Sequence, residues 1–203
     1  MATNWNNHYT SFLKKERLPS ATLQKALDII SINYNENNHS ALDLGCGTGI
    51  DTFTLLKSGW KVTAIDNEKE GLIHLSDAVP NDLKDNLTIR LLDFNQITTL
   101  PEVKLINASF SLPFCAPENF ETLWNAIVNA LPAGAIFCGH FFGPKDSWNL
   151  RKRSNMTFHT DTDISTLFEN FTILVKKEIA SEGKTISGTP KFWHVFHIVA
   201  QKK

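Results

Sequence analysis

The sequence predicts an α/β fold, a three-layer sandwich whose central sheet is seven-stranded, mostly parallel, and ends in a C-terminal antiparallel hairpin. Three observations carry this. Short apolar runs alternate with helical patterns from Ala41 to Phe141, the arrangement that winds a parallel sheet with helices on both faces. The first run passes directly into three closely spaced glycines, Gly45, Gly47 and Gly49. After Asn170, two strand patterns follow one another across a glycine-bearing turn with no helix between, so they are expected to pair antiparallel.

The elements follow in order. Residues 1–34 are expected to form an N-terminal helical arm, with Trp5 and Tyr9 early and a helix from about Ser20 whose stripe is Leu23, Ala26, Leu27 and Ile30. The polar run Asn35 to Asn38 ends it, and the first strand opens at Ala41. A helix is expected from about Thr48 to Ser58, stopped by Gly59 in the position of a C-terminal cap. Strand two spans Lys61 to Ile65, a helix runs from about Lys69 to Ala78, and strand three spans Leu87 to Leu92. Strand four is Val103 to Ala108. Pro117 opens a helix with Phe120, Leu123, Trp124, Ile127 and Leu131 on one face. Strand five covers Ala135 to Phe141, and Gly143 to Phe158 shows no period. A short helix at about Thr162 to Glu169 precedes strands at Phe171 to Ile179 and Phe192 to Ala200. Residues 1–203 are expected to form one domain.

The glycine turn is where chemistry enters. Glycine is needed where the backbone takes positive φ or passes close to a ligand, and the helix behind such a turn offers free N–H groups. Asp66 follows strand two, where a carboxylate can accept hydrogen bonds from both hydroxyls of a ribose. The spacing is G-x-G-x-G, with Asp43 two residues ahead; a dinucleotide fingerprint G-x-G-x-x-G/A would place Ile50 at its third glycine. Gly183-Lys184-Thr185 lacks both the upstream glycine and the following helix of a phosphate loop. In open parallel sheets ligands gather outside the carboxyl ends of the strands, and Asp43, Asp66, Asp93 and Asn107 all fall at or near such ends.

The run Leu42 to Gly49 resembles the first motif of the class I S-adenosylmethionine-dependent methyltransferases, which share a Rossmann-like fold. Asp66, then Leu91-Leu92-Asp93-Phe94, then Leu105 to Ser109 continue the resemblance in register. It implies S-adenosyl-L-methionine as cofactor, with Asp43 near its amino group and Gly45, Cys46, Gly47, Thr48 and Gly49 beneath it. Asp66 and Asn67 are implied at the ribose, Asp93 and Phe94 at the adenine, and Asn107 and Ala108 along the methionine side. Tyr9 or Arg17 from the arm would reach the methionine carboxylate. The compact layout resembles the small bacterial tellurite- and thiol-modifying methyltransferases.

Composition narrows the partners. A formal net charge of −1 gives no field for general nucleic-acid binding. The three cysteines, Cys46, Cys115 and Cys138, form no paired framework, which with the polar N-terminus and the lack of a long apolar run points to a cytoplasmic, non-membrane protein. No metal site is expected, and the oligomeric state is left open. A small molecule is the expected acceptor, since Asn107-Ala108-Ser109-Phe110 lacks the two prolines of base-amino methyltransferases. His140, at the end of strand five, is the candidate general base, beside the alternative that it is a packed structural histidine. His194 and His197, three apart on a strand, face opposite sides. Trp5, Phe110, Phe141, Trp148 and Arg151 are the candidate substrate contacts, with Gly143 to Phe158 and the arm expected to form a mobile lid. Two other readings stand beside the enzyme: a non-catalytic cofactor-binding subunit, and a nicotinamide-dependent oxidoreductase.

Overall fold

The computed structural model describes residues 18–33, 39–150 and 155–203. Strands β1 (Ser40–Leu44), β2 (Lys61–Asp66), β3 (Leu87–Leu91), β4 (Leu105–Ala108) and β5 (Ile136–Phe142) run parallel. The hairpin β6 (Phe171–Lys184) and β7 (Pro190–Lys202) adds antiparallel, giving the order β3-β2-β1-β4-β5-β7-β6. The chain leaves β1 towards β2 and β3, then returns to the other side of β1 with β4. That reversal opens a crevice at the carboxyl ends of β1 and β4.

Burial on both faces makes the three layers. Along β1 the alternation sends Leu42 and Leu44 to one core, with Ile106, Phe137 and the Leu123, Trp124 and Ile127 face of α4, here numbered after α1–α3 (Ala21–Asn33, Ile50–Lys57, Lys69–Ala78) and spanning Pro117–Ala130. Ala41 points the other way, into a core with Val62, Ala64 and Ile136 and with Leu23 of α1, Leu55 of α2 and Leu75 of α3. Gly49 precedes α2 at φ 89°, and a Cβ there would lie 2.3 Å from Leu75 Cδ1. This glycine therefore serves both the turn and the seating of α3.

Several boundaries depart from expectation. Helix α2 begins at Ile50, because Gly47 and Gly49 hold positive φ. A short 3-10 helix, Asn81–Asn86, fills the link to β3. The larger difference is the hairpin: β6 starts at Phe171 as expected but runs on from Ile179 to Lys184, and β7 extends beyond the expected Phe192 to Ala200 at both ends. Val195 pairs with Phe142, the last residue of β5, and the pairs Ala180–His194 to Lys184–Pro190 run on past it. The hairpin thus overhangs the ligand end of the sheet. The turn expected from Gly183 to Gly188 is shorter than that, because Gly183 and Lys184 pair in the cross-strand ladder despite their low strand propensity.

The segment after β5 is not structureless. It contains α5 (Ser147–Leu150), and α6 (Asp161–Leu167) follows with a capping box between Thr160 and Asp163. Both ends of the expected lid are tied down: Gly143 N–H donates to His194 O at 2.7 Å, and Thr157 N–H donates to Pro113 O at 2.9 Å. Residues 151–154, and with them Arg151, lie outside the described residues, as do Trp5, Tyr9 and Arg17. Among the described residues no helix is long and apolar enough to cross a membrane.

Candidate active site

A cleft of about 870 Å³ opens at the carboxyl ends of β1, β2 and β4 and continues beneath the hairpin overhang. Its first half is acidic and tightly hydrogen-bonded. Asp66 ends β2; its carboxylate accepts Gly47 N–H at 2.8 Å and Glu68 N–H at 2.9 Å, so one side chain fixes both the glycine turn and the loop entering α3. Asp93 accepts Asn95 N–H at 2.8 Å and the Asn67 amide at 2.9 Å. Phe94 stands beside it in the cleft wall. Gly45, at φ 72°, is pressed against Ser111, whose hydroxyl donates to Leu44 O at 2.6 Å.

Two buried carboxylates meet at the floor. The Asn107 amide donates to Asp43 Oδ1 at 2.8 Å and to Asp51 Oδ2 at 3.0 Å, and Thr52 Oγ1 donates to Asp43 Oδ2 at 2.5 Å. Ser20 N–H donates to Asp51 Oδ1 at 2.8 Å, which brings the start of α1 into the site. Burial first, then the charge of Asp51, pushes the Asp43 carboxyl up to about 7, against the lowering effect of its hydrogen bonds to Thr52 and Asn107. Two carboxylates lining one cleft favour a cationic group beside them.

The second half of the cleft is aromatic. Phe110 follows β4 at φ 54°, a left-handed conformation that costs a bulky side chain, and it stacks on His140 with ring centroids 3.9 Å apart. Phe142, Trp148 and Trp193 form the wall beyond it. Behind them, buried Asp146 accepts a hydrogen bond from the Lys191 ammonium, from Trp148 N–H at 3.0 Å and from His194 N–H at 3.2 Å. The same ammonium lies over the Trp193 ring, 3.6 Å from its centroid. This knot ties the loop after β5 to the hairpin.

The structure gathers most, though not all, of the residues singled out from sequence. Asp43, Gly45, Cys46, Thr48, Asp66, Asn67, Asp93, Phe94, Phe110 and Trp148 line the cleft. Gly47, Gly49, Asn107 and Ala108 shape it from behind. Phe141 does not reach it: strand alternation sends this ring to the opposite face, into a core with Trp124 and Phe168. Phe142 takes the cleft side instead. His140 is on the correct face but only 1% exposed, roofed by Phe110, whose N–H donates to its Nδ1 at 3.3 Å. Burial and the neighbouring His197 push its imidazole well below the usual range. His194 and His197 do face opposite sides, and it is His197 that lines the cleft. Sequence reasoning missed Ser20, Asp51, Ile179 and Trp193, and it weighed His197 with His140, His159 and His194 as a candidate base without placing it in the cleft. The alternation Trp193-Val195-His197 on a strand pointing at the ligand end was the signal available for Trp193 and His197.

Residues 41–134 match the protein family described as a methyltransferase domain. No curated protein sequence matches the chain. Among solved structures it is similar in fold to TehB from Haemophilus influenzae, at 17% identity and TM-score 0.69, covering 89% of this chain and 62% of TehB. It is also similar to an S-adenosylmethionine-dependent methyltransferase from Methanosarcina mazei, at 20% identity and TM-score 0.62, covering 85% and 96%. A third is the 1,6-didemethyltoxoflavin-N1-methyltransferase of Burkholderia thailandensis, at 15% identity and TM-score 0.65, covering 98% and 84%. The chain thus spans less than two thirds of the length of TehB, and at these identities the likeness is one of fold.

Proposed function

We propose that this chain, whose residues 41–134 match a methyltransferase domain, is a class I methyltransferase that transfers a methyl group from S-adenosylmethionine to a small molecule. The observation that supports it is the row of carboxylates Asp43, Asp66 and Asp93 along three adjacent strands, all lining one cleft around the glycine turn. The residues present fit this cofactor. Asp43 and Asp51 supply negative charge for an ammonium, Asp66 a carboxylate for a ribose, and Asn67, Asp93 and Phe94 a polar edge and ring face for an adenine. Asn107 holds the two buried carboxylates apart and in place. When bound, the cofactor supplies a sulfonium methyl whose loss leaves a neutral thioether, so no acid is needed for the leaving group. The chain then has to align the acceptor and exclude water, and alignment alone is worth roughly 7–11 kcal/mol.

Calorimetry tests the reading: S-adenosylmethionine and its demethylated product should bind, and NAD and NADP should not. Tight NAD binding with no affinity for S-adenosylhomocysteine would overturn it in favour of an oxidoreductase. Binding without turnover of any acceptor would favour the cofactor-binding subunit. The finer expectation of a tellurite- or thiol-modifying subgroup is supported only by likeness of fold, and the aromatic half of the cleft argues for another acceptor.

A further inference from the structure

The aromatic half of the cleft is built for a different ligand from the acidic half. Phe110 meets Trp193 edge-on at 6.1 Å between centroids and Phe142 at 6.4 Å, while Trp148 meets Trp193 at 5.9 Å. Ile179 and Val195 complete the wall from the hairpin. No carboxylate lines this part among the described residues, and the one lining cation there is Lys184, near the hairpin tip. Such walls offer ring faces and apolar area, which suit a flat molecule and give a hydrated oxyanion little.

One polar group faces this space from β7. His197 is half-buried, its ring edge-on to Phe110 at 6.2 Å and to His140 at 4.6 Å. Its ring nitrogens have no hydrogen bond to any described residue. The titratable groups packed around it are His140 from β5 and Lys177, its cross-strand partner on β6. Burial, and then the Lys177 charge, hold the imidazole below its ordinary value, so it is neutral with a free lone pair at pH 7. His140 cannot serve in this way, because its Nδ1 is engaged by Phe110 N–H.

Resting on the methyltransferase reading above, we infer that the aromatic half of the cleft takes a planar aromatic acceptor bearing a hydroxyl, and that His197 removes the hydroxyl proton. The oxygen–hydrogen bond breaks, with its proton going to a ring nitrogen of His197. An oxygen electron pair forms the new bond to the methyl carbon as the carbon–sulfur bond breaks with its pair left on sulfur. The imidazolium then returns its proton to water through the open mouth of the cleft. A thiolate acceptor would require neither the base nor the ring faces.

The test uses the full chain with 1-naphthol as probe, against selenite and 2-mercaptoethanol. In the first arm, 1-naphthol is added to chain saturated with S-adenosylhomocysteine, and binding is read by calorimetry and by tryptophan fluorescence. Naphthol should bind and quench the tryptophans. Trp193→Leu, which keeps apolar bulk, should weaken naphthol by about tenfold while leaving S-adenosylhomocysteine affinity unchanged. In the second arm, His197→Gln should keep both affinities and lose roughly 10²–10⁴-fold in methyl transfer to naphthol, with the residual rate rising with pH as naphtholate forms. No naphthol binding at millimolar concentration, binding indifferent to Trp193→Leu, or a parental rate in His197→Gln overturns the inference. So does methylation of selenite or 2-mercaptoethanol with naphthol bound but inert. Failure to bind S-adenosylhomocysteine at all would instead strike the parent reading.

Discussion

The two halves of the cleft are made in opposite ways. In the acidic half, most contacts join neighbouring β–turn–α units: Asp66 is engaged by Gly47 and Glu68, Asp93 by Asn95 and Asn67, and Asp43 by Thr52, while Asn107 and Ser20 reach Asp43 and Asp51 from farther along the chain. Nearly all of it comes from consecutive β–turn–α units, and backbone N–H groups do much of the holding. In the aromatic half, Phe110, Trp148 and Trp193 come from three distant parts of the chain; Asp146 and Lys191 tie Trp148 to the hairpin, and Phe110 meets Trp193 edge-on. His194 adds a further tie, with its Nε2 2.8 Å from Glu178 Oε1 on β6. The difference teaches that a cofactor half can be written into local sequence, whereas an acceptor half can be rebuilt by changing a hairpin and one loop without disturbing the turn.

If that division is real, damage to each half should stay in it. The largest effect is expected for Asp146→Ala, which leaves the buried Lys191 ammonium without its carboxylate; this should cost about 3–5 kcal/mol in a denaturant melt. The double change Asp146→Leu with Lys191→Met should recover most of the loss. Folded Asp146→Ala should still bind S-adenosylhomocysteine normally, and a large loss of that affinity would break the comparison. Next is Gly45→Ala, whose new Cβ would lie 2.3 Å from Ser111 Cβ. Overpacking of this kind costs about 1–3 kcal/mol, with about 1–2 kcal/mol more for the left-handed backbone. Here cofactor affinity should fall, while the aromatic half keeps its fluorescence.

Asp66→Asn should weaken S-adenosylhomocysteine binding by about 1.5–3 kcal/mol, the scale for hydrogen bonds to a charged group, as read by calorimetry. Unchanged affinity would reduce Asp66 to a turn-former. A further expectation is a pH dependence. Asp43 has its folded value raised from 3.8 to about 7, so the folded chain binds a proton that the unfolded chain has lost between those values. Stability from this group is therefore greatest below about pH 4 and declines as pH rises towards 7. An ammonium bound beside Asp43 favours the ionised form, so cofactor affinity should fall by up to about tenfold per unit as pH drops below 7, with proton release on binding. Calorimetry in two buffers of different ionisation enthalpy measures that release, and Asp43→Asn should abolish it.

The sequence by itself determined the parts whose cause is local. Strand alternation and the helical stripes set the layered sheet, because each residue's face follows from a short repeat. The G-x-G-x-G spacing and Asp66 were legible because the turn, its helix and the next strand lie within one β–α–β unit. What only the tertiary structure decided are the pairings across long separations. Asn107 reaches Asp43 and Asp51 from 64 and 56 residues away, which no spacing announces. The hairpin overhang depends on a ladder that its own polar sequence does not favour, and with it came Trp193 and His197. Phe141 and His140 show the limit most plainly. Both sit at the strand end that sequence identified, yet one faces the core through the pleat, and a neighbour's ring in a left-handed turn roofs the other. A strand end locates a residue along the sheet. Which side chains remain open to a ligand there depends on what the distant chain packs over them.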